Sequence, residues 1–214
     1  LRRCLRASGN LRVLRLVVCR LRQSDMEDVL RAEDLLNDIL QHEPSSFDEL
    51  LACIVQQTPP GECRIEDFPH LAADATRVRE VVDNALRNEV CGVNALLYGR
   101  PGTGKTQFAL AIAAAAGLTA VMVRTAGEDG EGLSRQGRLG AYQLAQHMLR
   151  NRRDCLIVFD EVEDVFHASQ GGLLALLRGL PSTGSDKGWL NRTLEENPLP
   201  AIWITNNAES MDPA

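Results

Sequence analysis

Gly99-Arg-Pro-Gly-Thr-Gly-Lys105-Thr106 is the stretch on which the fold turns. It satisfies G-x-x-x-x-G-K-[ST] at every fixed position, and it stands between an apolar run, Ala95–Tyr98, and an alanine-rich helical stretch, Lys105–Ala116. Phosphate capture needs that placement. Glycines let backbone N–H groups turn inward and approach phosphate oxygens closely, and the N-terminus of the following helix adds its partial positive charge. On this reading Lys105 bridges the β- and γ-phosphates and the Thr106 hydroxyl ligates Mg²⁺. The candidate ligand is a nucleoside triphosphate with Mg²⁺. The residues predicted to hold it are Gly99, Arg100, Pro101, Gly102, Thr103, Gly104, Lys105, Thr106 and Gln107.

Outward from this loop, apolar runs alternate with helical patterns. The runs Ala95–Tyr98, Thr119–Arg124, Cys155–Asp160 and Ala201–Thr205 read as strands, separated by helices at Lys105–Ala116, Leu139–Arg150 and a pair between Glu161 and Glu196. Continuous apolar strands alternating with helices predict a parallel sheet covered on both faces, a three-layer α/β/α sandwich.

Two of the runs deliver chemistry at their C-terminal ends, where α/β sheets place their ligands. Leu156-Ile-Val-Phe-Asp160-Glu161 presents two carboxylates. Asp160 suits the Mg²⁺ shell, and Glu161 suits the general base that polarises an attacking water. Ala201-Ile-Trp-Ile-Thr205-Asn206-Asn207 ends in neutral polar side chains, of which Asn206 is placed to orient that water or touch the γ-phosphate. The candidate catalytic residues are therefore Lys105, Glu161 and Asn206, and the candidate metal ligands Thr106 and Asp160.

Gly99–Thr106, Phe159-Asp-Glu161 and Thr205-Asn206 followed by Met211-Asp-Pro-Ala214 together resemble the AAA+ ATPases, specifically the core AAA group, over about residues 66–214. The resemblance implies Lys105 and Thr106 as Walker A, Asp160 and Glu161 as Walker B, and Asn206 as sensor 1. It implies ATP as the nucleotide, and no guanine-specific Asn-Lys-x-Asp motif stands against it. It further implies a P-loop NTPase sheet of order 5-1-4-3-2, with the fifth strand missing, and a homo-oligomeric, hexamer-like ring. An arginine finger and a helical lid with sensor 2 would follow Ala214, so the chain is expected to be a fragment that binds ATP and hydrolyses it slowly. Where many protein-threading members carry an aromatic pore loop, Asp129-Gly-Glu-Gly-Leu-Ser-Arg-Gln-Gly137 has no aromatic residue, and Leu133 is its one bulky apolar candidate.

The remainder reads as a helical N-terminal segment, 1–65, before the ATPase subdomain at 66–214. Ser24 with Glu27, and Ser46 with Glu49, carry the reciprocal capping pattern of helix starts. The first helix is expected to run on through Leu40 to Pro44, and the second over Phe47–Gln57. Thr58-Pro-Pro-Gly61 marks the boundary. A helix over 73–89 is expected to turn Val78, Val81, Val82 and Leu86 to one face.

Residues 1–22 carry seven arginines and no acid, a composition shared by transit peptides, nucleic-acid arms and solvated helices or strands of a larger domain, the last being the default. The net charge of −6 excludes a global basic field for nucleic acid. No apolar run reaches the roughly 18 residues of a membrane-spanning helix, so no membrane partner is expected. Six cysteines without C-x-x-C or Cys/His spacing read as isolated buried thiols of a cytoplasmic protein.

Three functions remain open on these residues. The first is an ATPase that couples hydrolysis to remodelling a macromolecular client, with protein favoured. The second is a nucleotide-gated scaffold with little hydrolysis. The third is a nucleic-acid loader using residues 1–22.

Overall fold

The computed structural model describes residues 16–19, 30–32, 34–59, 61–127, 130, 132–166 and 191–206. In chain order its elements are β1 (Val17–Cys19), β2 (Leu30–Ala32), α1 (Asp34–His42), α2 (Phe47–Ile54), β3 (Val55–Thr58), α3 (Ala72–Asn88) and β4 (Asn94–Tyr98), then α4 (Lys105–Ala115), β5 (Thr119–Val123), α5 (Arg135–Leu149), β6 (Cys155–Phe159), α6 (Glu163–Phe166) and β7 (Ala201–Thr205). The chain forms two compact units, residues 1–56 with 123–148 and residues 57–122 with 149–214.

The central sheet has five strands in the order β3-β5-β6-β7-β4. Within it β5, β6, β7 and β4 run parallel, with Ile157 opposite Ala201 and Leu96 opposite Trp203. Numbered from the strand before the phosphate loop, these four give 1-4-3-2, the order the resemblance implies. A fifth strand beside β4 is not among the described residues. The fifth member of the sheet is instead β3, at the other edge.

Every residue of β6 and β7 is buried, which is why both read as unbroken apolar runs rather than alternating ones. Phe159 and Trp203 lie directly opposite in register and stack with centroids 4.9 Å apart. Each such side chain removed from water contributes roughly 1.5–3 kcal/mol. In the same unit α4 packs on β6 and β7 and against α3. Its Phe108-Ala-Leu-Ala-Ile-Ala113 stretch is wholly buried, and the alanines let the helix approach closely.

β1 and β2 pair antiparallel, with Val18 opposite Arg31. α1 packs on α2. The expected capping at Ser46 and Glu49 is present, with one difference. The Ser46 hydroxyl accepts the Glu49 N–H at 3.1 Å, while the Glu49 carboxylate takes the Ser45 N–H and hydroxyl, both at 2.7 Å.

Several expectations are corrected here. Leu30–Ala32, expected within the first helix, is instead a strand paired with Val17–Cys19, and the helix described after it, α1, begins at Asp34. The second ends at Ile54, where buried β-branched Val55 turns extended (φ −138°, ψ 158°) and opens β3. The stretch 1–65 thus holds strands as well as helices. On α3 the buried face is Ala75, Val82, Ala85 and Leu86, and Val81 is exposed. α5 starts at Arg135, four residues before the expected Leu139, with the Ser134 hydroxyl accepting the Gly137 N–H. The readings placed on residues 1–15, Ser24, Asp129 and 207–214 lie outside the described residues. Among the described residues no helix is long and apolar enough to cross a membrane.

Candidate functional site

The loop between β4 and α4 owes its shape to three glycines at positive φ: Gly99 at 154°, Gly102 at 78° and Gly104 at 81°. Residues with a Cβ rarely adopt these angles. A Cβ on Gly104 would also lie 3.3 Å from Cε1 of Phe68, while one on Gly102 would meet nothing within 4 Å. Gly104 therefore packs against protein, and Gly102 faces open space. Phe68 is itself held edge-on by Phe108, with centroids 5.1 Å apart. Nothing in the local pattern around Asp67-Phe-Pro69 marked Phe68 as the support of the loop; its role comes from a contact across 36 residues.

The Lys105 ammonium folds back over the loop and donates to the carbonyls of Gly99 at 3.0 Å and Arg100 at 2.9 Å. The Arg100 carbonyl also accepts the Thr103 hydroxyl at 3.0 Å, and the Arg100 side chain is exposed. An ammonium has three donors, and two are occupied by the loop's own carbonyls. Lys105 is thereby held over the concave side of the loop.

One turn along, the Thr106 hydroxyl donates to Oδ2 of Asp160 at 2.6 Å. The other carboxylate oxygen, Oδ1, accepts the Glu161 N–H at 2.8 Å. Glu161 sits at φ 53°, in the left-handed region, a conformation costing about 1 kcal/mol or more for a residue with a side chain. Its side chain is exposed. The strained turn leads Glu161 away from the buried line of β6 and out beside Asp160.

At the end of β7 the Asn206 N–H donates to Glu163, at 3.1 Å to Oε1 and 3.3 Å to Oε2. Burial raises the Glu163 pKa, but hydrogen bonds from its own backbone, the Thr205 hydroxyl and the Asn206 backbone and side chain outweigh that and hold it below the usual glutamate value. The structure makes Glu163 a partner of the chain end that carries Asn206.

Pro101, Gly102, Gly104, Lys105, Thr106, Gln107, Asp160, Glu161, Ile204 and Asn206 line one cavity of about 420 Å³. The fold brings together the C-terminal ends of β4, β6 and β7, which lie far apart in the sequence. Of the candidate residues, Gly99, Arg100 and Thr103 do not line it; they shape the loop and hold Lys105. The chemistry of the lining fits a triphosphate with a hard divalent cation. An ammonium and a glycine cradle suit phosphate, and the adjacent Thr106 and Asp160 oxygens suit Mg²⁺.

The remaining candidate features settle elsewhere. Two arginines between α5 and β6 are paired: Arg152 bonds Asp154 at 2.8 and 2.6 Å, and Arg153 bonds the Glu89 carboxylate and, at 3.3 Å, the Leu86 carbonyl. The cysteines are not uniformly buried. Cys53 and Cys155 are, Cys63 is half-buried and Cys91 is exposed. Among the described residues no cluster of His, Cys, Asp and Glu could hold a metal by three such ligands.

The model of the ATPase family associated with various cellular activities (AAA) matches residues 95–214, more than half of the chain. Among solved structures the chain is similar to one of katanin, described as the structural basis for katanin self-assembly, at 16% identity and a TM-score of 0.47. The match covers 79% of this chain and 55% of that one, so this chain spans about half the length of the katanin chain. The residues that the family model matches include the phosphate loop before α4, the carboxylate pair after β6 and the asparagine after β7, and the chain belongs to the AAA ATPases.

Proposed function

We propose that the chain binds Mg²⁺-ATP in the cavity at the C-terminal ends of β4, β6 and β7, hydrolyses it, and couples that hydrolysis to remodelling a macromolecular client. The observation that carries the reading is the contact of Thr106 with Asp160, next to Glu161 and in the same cavity as Lys105. Residues 95–214 match the AAA family model, and that match supports the nucleotide.

In this reading the chain supplies positioning and charge, which phosphoryl transfer chiefly requires. The backbone of 99–104 and the Lys105 ammonium bind and orient the β- and γ-phosphates. Thr106 and Asp160 would hold Mg²⁺, which when bound would neutralise phosphate charge. Glu161, exposed at the lip of the cavity, accepts the proton of the attacking water. Asn206 orients that water or the γ-phosphate.

A homo-oligomeric, hexamer-like ring, a protein client and a cytoplasmic location complete the proposal on sequence grounds. So does the division into a segment 1–65, carrying client contacts, and an ATPase subdomain 66–214.

Steady-state ATP hydrolysis and ATP affinity, measured together for the chain and for Glu161→Gln, test the proposal. Turnover that Glu161→Gln abolishes, with ATP affinity kept, supports it. Tight ATP binding without any turnover, in this chain or in one extended past Ala214, replaces it with a nucleotide-gated scaffold.

A further inference from the structure

Behind Asn206 stands Glu163, the first residue of α6. Its carboxylate receives three groups from two adjacent residues: the Asn206 N–H, the Asn206 side chain and the Thr205 hydroxyl. One residue earlier, the Val162 N–H donates to the Ile204 carbonyl at 3.0 Å, so the segments after β6 and β7 are tied side by side. Thr205 is buried and Asn206 half-buried. A carboxylate that only complemented a helix start would need no donors from another strand. Convergence of three donors from 205–206 calls for a second role.

The chemistry of the amide supplies one. A side-chain amide facing a carboxylate must present its nitrogen, because two oxygens would repel. That nitrogen carries two hydrogens. One is taken up by Glu163, and the other points elsewhere on a side chain that lines the cavity with Lys105, Asp160 and Glu161. Without the carboxylate the amide could rotate by half a turn and offer its carbonyl oxygen instead.

We infer that Glu163 is the positioning residue for Asn206, fixing its amide as a hydrogen-bond donor toward the cavity so that it recognises an anionic γ-phosphate. This rests on the reading of the cavity as an ATP site. Glu163 touches no substrate in this account and acts through Asn206.

Isothermal titration of the chain with AMP-PNP and with ADP, both with Mg²⁺, tests it on Glu163→Gln, Asn206→Ala and the double variant. Loss of one hydrogen bond to an anion corresponds to about a tenfold change in affinity. Glu163→Gln and Asn206→Ala should each lower the preference for AMP-PNP over ADP by about that factor, with ADP affinity unchanged. The double variant should be no worse than Asn206→Ala alone. In a nucleotide-free sample, the Asn206 side-chain amide resonances should also shift on Glu163→Gln, with the thermal melt recording that the fold is kept.

A preference lowered by Asn206→Ala but unmoved by Glu163→Gln overturns the inference alone. Additive losses in the double variant do the same. A preference unmoved by Asn206→Ala overturns the sensor reading and the inference with it.

Discussion

The hydroxyl of Thr106, on the first turn of α4, and the carboxylate of Asp160, just past β6, meet across 2.6 Å although 54 residues separate them. Hydrogen bonds from a hydroxyl to an ionised carboxylate are among the shorter and stronger ones. The two oxygens of the proposed Mg²⁺ site are therefore already adjacent, and the cation would replace the shared proton contact rather than assemble the pair.

Thr106→Ala is accordingly expected to remove most of the gain in ATP affinity that Mg²⁺ provides. Loss of a ligand or its support at a metal site typically costs 10–100-fold, and Thr106→Ser should retain the gain. Titrations with ATP in Mg²⁺ and in EDTA measure this. A Thr106→Ala chain that keeps the full Mg²⁺ gain would show that the pair does not hold the metal.

Gly104 carries two constraints, a left-handed backbone at φ 81° and contact with Phe68. Gly104→Ala is expected to cost about 1–2 kcal/mol from the dihedral alone, and to weaken nucleotide binding. Adding Phe68→Ala relieves the steric part but not the dihedral, so affinity should stay low in the pair. Urea unfolding and a fluorescent ATP analogue read the two effects separately; full recovery of affinity in the pair would mean that sterics alone were responsible.

At the opposite end of the strands lies a polar knot with no part in the cavity. The Asn94 amide donates to the Leu194 carbonyl at 2.7 Å, to Asn197 Oδ1 at 3.0 Å and to the Gly92 carbonyl at 3.1 Å, and its Oδ1 accepts the Trp203 indole N–H at 2.9 Å. Asn94→Ala leaves a buried indole donor and three acceptors without this partner, at about 1–3 kcal/mol for each group left stranded. The thermal midpoint should fall by several degrees. ATP affinity, measured at a temperature where the variant is folded, should not change.

Acid stability follows from the direction of two shifts. Glu163 is held below its ordinary value of 4.5 by the donors that outweigh burial, and Asp154 below 3.8, chiefly by the Arg152 side-chain hydrogen bond. A depressed carboxylate stabilises the fold at pH above its unfolded value, and that contribution is lost as pH falls through the folded one. Stability should thus decline below 4.5, and further below 3.8, with the first part reduced in Glu163→Gln and the rest of it left to Glu49, which its Ser45 hydrogen bonds also hold below 4.5. Urea unfolding at a series of acidic pH values checks it; an unchanged slope in Glu163→Gln would contradict the assignment.

Thiol reactivity should separate the cysteines by environment. Burial pushes the Cys155 thiol up to about 11, which suppresses thiolate at neutral pH, whereas Cys91 is exposed. Peptide mapping after brief iodoacetamide treatment should find Cys91 modified, with Cys53 and Cys155 untouched until urea is added. Early modification of Cys155 would mean that β6 opens far more readily than its packing implies.

Legibility in the sequence followed the range of the interaction. The phosphate loop was readable because its glycines, lysine and threonine are contiguous and their spacing is imposed by local backbone geometry. β6 and β7 were readable because strands buried on both faces must be apolar at every position, so Cys155–Phe159 and Ala201–Thr205 announce themselves. α3 was placed by its period, but the period alone did not tell which side faced the core, and Val81 turned outward.

By itself, then, the sequence determined the parallel α/β class, the loop that can hold phosphates and the residue types at the strand ends. Only the tertiary structure decided which of them meet. Strand register sets Thr106 against Asp160 and ties Ile204 to Val162, which in turn sets Glu163 behind Asn206. Pairing with a distant strand drew Leu30–Ala32 out of an expected helix. Placement at the sheet edge made a strand of Val55–Thr58. Local propensity is worth tenths of a kcal/mol per residue, whereas burial against a partner is worth several times that, so contacts across tens of residues overrule the pattern of neighbours.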